Sequence, residues 1–194
     1  EAYEKVHEMN TKLYQSAITD QLTGIYNRKG FYMRIEEIME RIKKRKQKQS
    51  FALMFIDLDN FKGYNDTFGH DVGDLILKEM AEIFKEVCGK EGFVSRYGGD
   101  EFIVLVNDNK RESLEEKAKQ IYAKIAEKNG FRAEIEEKLG RTIELSESQK
   151  ISCSIGIAGS DEVQEEEDIN RLIKQADALL YTIKTTSKGR YTFM

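Results

Sequence analysis

Proline and tryptophan are absent from the 194 residues, and cysteine and histidine occur only twice each. Without proline there are no cis-Pro turns, no Pro-rich linkers and no polyproline ligand segments. Two cysteines, Cys88 and Cys153, are too few and too far apart for a disulfide framework, so a reducing cytoplasm is the expected compartment and both thiols read as small buried hydrophobes. The longest purely apolar run, residues 51–56, is far short of the ~20 residues of a membrane span. No secretory signal pattern stands at the N-terminus. The 31 basic and 35 acidic side chains leave a formal charge of −4, which disfavours a nucleic-acid surface. What remains is a globular composition, 40% hydrophobic and 34% charged, in a chain long enough to bury one real core.

Periodicity orders the elements. Tyr3, Val6, Asn10, Leu13 and Ala17 follow alternating steps of three and four, a heptad-like seam with a polar Asn on it. Two readings stand for this helix: an amphipathic helix lying on the domain, or the end of a longer signalling stalk. Residues 1–18 are therefore set apart from a domain spanning 19–194. A second helix carries Phe31, Ile35, Ile38, Met39 and Ile42 on one face. Its end, RIKKRKQK at 41–48, reads as a solvated terminus whose cations favour the helix dipole. Residues 51–57 (FALMFID) have the continuous apolar character of a central strand ending in a carboxylate. A polar stretch follows, then a helix with Val72, Ile76, Met80 and Phe84 on its stripe. Next comes a hairpin, 93–97 and 100–106, around Gly98-Gly99. Leu114, Ala118, Ile121 and Ile125 mark another helix, and 131–145 suggests a small hairpin around Gly140. Residues 151–158 (ISCSIGIA) form a further buried strand. A last helix from 169 to about 184 follows acids at 165–168 that suit a helix N-terminus. The expected fold is α+β, a ferredoxin-like or palm-type, mostly antiparallel central sheet surrounded by helices.

Three acids sit where acids are costly: Asp57 at the end of a buried strand, and Asp100 with Glu101 at the start of the hairpin's second strand. If the two strands pair, the carboxylates converge at one end of the sheet and repel unless a cation neutralises them. Oxygen-only ligands with room for water and phosphate suit Mg²⁺. Two such ions about 4 Å apart are a usual device for nucleotidyl transfer. The plain alternative is three surface acids flanking turns. Gly98 and Gly99 weaken it, because glycines let a bulky phosphate approach the backbone. In the polar loop, the amides near Asn60 and Phe61 open a short helix and can donate to an anion, beside the fixed charge of Lys62. Asn65 and Asp74 are an amide and a carboxylate able to read a guanine edge; equally, they could be a turn residue and a helix cap.

Taken together, RYGGDEF at 96–102, DQLTGIYNR at 20–28, FIDLDNFKGYNDTFGHDVGD at 55–74, SIG at 154–156 and ADALLYTIK at 176–184 resemble the GGDEF domain, the diguanylate cyclase family. Several spaced motifs in order over most of the chain are far more specific than one pentapeptide. The resemblance implies a nucleotidyl-cyclase-like fold and the condensation of two GTP into cyclic di-GMP with loss of two pyrophosphates. It implies Asp57, the Leu58 carbonyl, Asp100 and Glu101 as ligands of Mg²⁺ (Mn²⁺ as the alternative), with Glu101 alternatively a proton acceptor. Asn65 and Asp74 then read guanine, Lys62 stabilises phosphate charge, and Gly98 and Gly99 line the site. His70 belongs either to the pocket or to helix-start packing. Lys184 and Lys188 resemble a late basic pair that grips the triphosphate, although Ser187 stands where the family usually has Gly and Gly189 where it often has Asn. The implied assembly is a homodimer of facing domains, driven through the N-terminal helix by an upstream sensory domain. The expected setting is cytoplasmic, as the output domain of a larger or membrane-anchored receptor. The family's R-x-x-D feedback site is missing: the matching stretch is Gly89-Lys90-Glu91-Gly92. Other readings are a cyclase of relaxed specificity making mixed cyclic dinucleotides, a silent GTP-binding module, and, more distantly, a nucleic-acid polymerase of similar plan.

Overall fold

Apolar strands buried on both faces need helices on both sides, and the computed structural model, which describes residues 2–186 and 188–194, is built that way. In chain order the elements are α1 (Ala2–Ile18), α2 (Arg28–Arg45), β1 (Gln49–Asp59), α3 (Phe61–Phe68), α4 (His70–Cys88), β2 (Gly92–Arg96), β3 (Glu101–Val106), α5 (Arg111–Glu127), α6 (Arg132–Leu139), β4 (Ser152–Val163), α7 (Glu166–Thr186) and β5 (Tyr191–Phe193). The five strands form one sheet in the order β2-β3-β1-β4-β5. All pairs are antiparallel except β4 with β5. The mostly antiparallel α+β plan read from the sequence is the observed one.

Alternation along β1 divides the core. Ala52, Met54, Ile56 and Leu58 pack with α4 and α5, around Met80, Phe84 and Ala118. Phe51, Leu53 and Phe55 face α2 and α7, with Phe31, Ile35, Ala176 and Leu180. Odd-numbered positions of β1 thus look toward α7, which fixes the side on which Asp57 emerges. The sheet and α7 meet closely at Gly156, where an added Cβ would lie 2.0 Å from the Ala176 carbonyl oxygen. Gly156→Ala is therefore expected to force strand and helix apart and cost about 2 kcal/mol, read as a lower denaturant midpoint.

Four expectations change. The segment 131–145 is not a hairpin: Arg132–Leu139 is helical and ends at Gly140 in the left-handed conformation. RAEIEEKL is made mostly of helix formers, and a glycine just past them is a C-terminal stop rather than a strand turn. The hairpin connection is the four residues 97–100, not two. β5 was not expected; three residues are too few for periodicity to register. The last helix begins earlier than 169, with Glu166, Glu167 and Asp168 in its first turn. The basic end of α2 is exposed and carries Lys43, Lys44 and Arg45 in the last turn.

The N-terminal helix does not lie on the domain. Its seam is in solvent, with Tyr3 83%, Val6 58% and Leu13 63% exposed, and Ile18 is its buried residue. Asn27 ties its end to the body. Its side chain caps α2 by accepting from the Gly30 N–H and donates to the Ala17 and Thr19 carbonyls. Cys88 and Cys153 are free and buried, and burial pushes the Cys88 thiol up to about 11. No helix among the described residues is long and apolar enough to cross a membrane.

Candidate active site at one end of the sheet

The register of the sheet builds the site. Asp57 on β1 is the direct cross-strand partner of Glu101 on β3, and the Leu58 N–H donates to the Asp100 carbonyl. The preceding odd pair, Phe55 with Ile103, belongs to the α7-side core. The two carboxylates thus continue an apolar row past the point where the core ends. Asp57 does not end the strand, as the sequence suggested; β1 runs two residues further, to Asp59. Asp57 is therefore not an acid flanking a turn, whereas Asp100 lies in the 97–100 connection and Glu101 is the first residue of β3.

α7 returns to this end and places Lys184 Nζ against the Asp57 carboxylate, with Asp59 Oδ1 at 3.7 Å. The electrostatics follow from crowding. Asp57 titrates above the ordinary carboxylate range because burial penalises its charge and Asp100 and Asp59 repel it, while Lys184 offsets part of the shift. Glu101 is raised too, by burial and by Asp57, Asp100 and Asp177, again opposed by Lys184. Its carboxylate lies over Gly98, where an added Cβ would fall 2.4 Å from Oε2.

Asp59 was not singled out from the sequence. It is 2% exposed. Its carboxylate accepts from Ser154 Oγ at 3.1 and 2.9 Å and from the Gly189 N–H at 2.9 Å. It therefore anchors the segment that carries Lys188. The signal was available in the D-x-D spacing, since residues two apart on a strand share a face.

The phosphate-loop candidates cluster where β1 gives way to α3. Asn60 adopts a left-handed conformation at φ 64 and precedes α3 without capping it; its side chain donates instead to the Ser148 and Lys150 carbonyls. Phe61 opens α3, half-buried, and Lys62 stands exposed in the first turn. Asn65 is no turn residue and Asp74 no helix cap, for both lie within helices, α3 and α4. The Asn65 amide rests on α4, so close that an added Cβ at Gly73 would lie 1.9 Å from its Oδ1. Asp74, the next residue, is exposed. His70 is the first residue of α4 and is exposed, which does not fit a packing role. Lys188 and Gly99 are exposed, and Ser187 lies outside the described residues.

Arg96 joins this end to the chain's beginning. Its Nη1 donates to Asp20 Oδ2 at 3.2 Å and its Nε donates to the Gly99 carbonyl at 2.9 Å. Asp20 in turn accepts from the Thr23 N–H and hydroxyl, so a compact turn connects α1 to the glycine loop.

Against this geometry, the family description "Diguanylate cyclase, GGDEF domain" matches residues 17–190. The chain belongs to the GGDEF domain family. This GGDEF domain is 31% identical over 183 residues to a diguanylate cyclase of Vibrio cholerae, covering 94% of the chain and 51% of the relative. It is 28% identical over 184 residues to diguanylate cyclase A of Treponema denticola, covering 94% and 46%. The chain thus spans about half the length of these curated relatives. Its fold matches the crystal structure of the coiled coil and GGDEF domain of DgcB from Caulobacter crescentus in complex with c-di-GMP. That match has a TM-score of 0.78 and 24% identity, and covers 100% of this chain and 94% of that one.

The donor set of this GGDEF domain is hard oxygen throughout, and a cationic ammonium is already seated on Asp57. Among the described residues no three acidic, His or Cys side chains close around one point to hold an ion unaided. The arrangement fits a hard divalent cation that takes its remaining ligands from phosphate and water.

Proposed function

We propose that this domain is a diguanylate cyclase, joining two GTP into cyclic di-GMP and releasing two pyrophosphates. The observation that carries the reading is the Asp57–Glu101 cross-strand pair beside Lys184, at the sheet end where α3 begins. Asp57, the Leu58 carbonyl, Asp100 and Glu101 would hold Mg²⁺, or Mn²⁺ in its place. The ion supplies charge neutralisation at the phosphates. Lys184, displaced from Asp57, and Lys188 contact the triphosphate, while Lys62 and the amides at Asn60 and Phe61 stabilise charge developing at the reacting phosphate. In the alternative to holding the ion, Glu101 would accept the 3′-hydroxyl proton as that oxygen attacks the α-phosphorus and pyrophosphate leaves. Asn65 and Asp74 read guanine, with His70, Gly98 and Gly99 lining the pocket. A carboxylate at 74 accepts from guanine N1–H and the exocyclic amine; adenine has no N1–H, which argues against mixed products. A silent GTP-binding module is disfavoured because the signature acids and Lys62 are all present.

One domain holds one GTP, so the reaction needs two domains face to face. Support for α1 as the lever is its solvent-exposed seam with Asn10 on it, and its link through the Asp20–Arg96 pair to Gly99. We place the domain in the cytoplasm, as output for an upstream sensory domain. With GTP and Mg²⁺ the domain should release pyrophosphate, and Asp100→Ala should remove the signal; with GTP plus ATP, chromatography should resolve cyclic di-GMP alone. No release from GTP would overturn the reading, and mixed products would overturn the role of Asp74.

Feedback control by product should be missing at 89–92, where Gly89 and Gly92 offer neither a guanidinium nor a carboxylate. Added cyclic di-GMP should produce no inhibition that depends on Lys90 or Glu91. Inhibition that disappears on changing Lys90 and Glu91 would contradict this.

A further inference from the structure

The segment after α6 builds a cavity of about 430 Å³ against α3, within the size range of small-molecule sites. Gly63, Tyr64, Thr67 and Phe68 of α3 form one wall, and Arg141 to Leu145 form the other. Gly63 and Thr67 are one helical turn apart, whereas Asn65 lies between them in sequence and projects from the opposite side. The cavity therefore occupies the face of α3 turned away from the guanine-reading residues.

We propose that this cavity binds a small aromatic ligand carrying a single acidic group, at a site separate from the nucleotide. The floor is apolar and aromatic: Tyr64 and Phe68 meet edge to face at 5.7 Å, flanked by buried Ile143 and half-buried Leu145. At Gly63 an added Cβ would meet nothing within 4 Å, so a flat ring can reach the helix backbone. On the rim, Arg141 has no hydrogen bond or ion pair among the described residues, leaving a guanidinium fork free for a carboxylate or sulfonate. Glu144 shares that rim and repels further negative charge, which sets the limit at one acid and excludes a triphosphate. Asn60, which also lines the cavity, donates to the Ser148 and Lys150 carbonyls.

The probe is 8-anilinonaphthalene-1-sulfonate, a fused aromatic body with one sulfonate, titrated by fluorescence into the whole chain. A saturable single-site signal is expected, unaffected by excess GTP with Mg²⁺. Gly63→Leu, which fills the cavity, and Arg141→Ala, an exposed change that leaves the core intact, should each weaken binding roughly ten-fold. Leu13→Ser on α1 should leave it unchanged. The proposal is overturned by an unsaturable signal, by affinity that survives Arg141→Ala, by competition with GTP, or by loss in Leu13→Ser, which would put the dye on the exposed helix. None of these readouts depends on cyclase activity, so their failure is distinct from a failure of the cyclase reading.

Discussion

Glu101→Gln should lower cyclic di-GMP synthesis by roughly 10³-fold, the scale of a lost general base, and should also make the folded chain more stable. Both effects come from the same crowding. Burial and the charges of Asp57, Asp100 and Asp177 raise the Glu101 carboxyl above its ordinary range. A carboxylate raised in the folded state prefers its proton there, so at neutral pH its ionised form costs folding free energy. That cost falls away as pH drops through the folded value and is gone below the unfolded one. Glutamine keeps the shape without the charge. The variant should gain about 2 °C in melting temperature near neutral pH, a modest figure because solvent screens a half-buried group. The gain should vanish in acid, below the carboxylate range. Melting curves at several pH values, without nucleotide or metal, check the sign; a variant less stable than the parent at neutral pH would contradict it.

Asp59→Ala should be the most destabilising single change at this end of the sheet. The carboxylate is buried and accepts from both Ser154 and Gly189, so alanine leaves the buried Ser154 hydroxyl without an acceptor and the Gly189 amide with only its longer bond to Ser154 Oγ, at 3.3 Å. Removing two such partners costs about 3 kcal/mol, or about 8 °C in a chain of this size. Lys184 also loses one of its two carboxylate neighbours. Because Gly189 is the anchor beside Lys188, the KM for GTP should rise as well. Asp59→Asn, which retains an acceptor oxygen, should recover part of the stability. Circular dichroism melts and KM measurements on the two variants separate the structural role from an effect on phosphate binding: equal loss in both would argue that charge, not hydrogen bonding, is what Asp59 supplies.

Much of the sheet was legible because its residues leave little choice. The run at 51–56 is too apolar for anything but a buried strand, and the spacing of Phe31, Ile35, Ile38, Met39 and Ile42 admits one helix face. Asp57 and Glu101 could be brought together on paper because strand pairing is a local rule, and the register does pair them. Asp59 was different. In sequence it is one more acid before a polar loop. Its partners lie 95 and 130 residues away, and the D-x-D spacing, which puts it on the face of Asp57, does not name them. The 131–145 segment misled for the opposite reason: Gly140 was read as a turn when the residues before it were already a helix. The choice between a docked helix and a stalk was open for α1, since an amphipathic seam says that it will be covered but not by what. In the folded chain that seam faces solvent.

The most direct test of the account is product identity and rate with GTP and Mg²⁺ over a wide range of protein concentrations. The account predicts cyclic di-GMP as the product, with activity per chain rising as concentration favours facing pairs. No cyclic di-GMP at any concentration, or activity per chain that is constant under dilution, would contradict it.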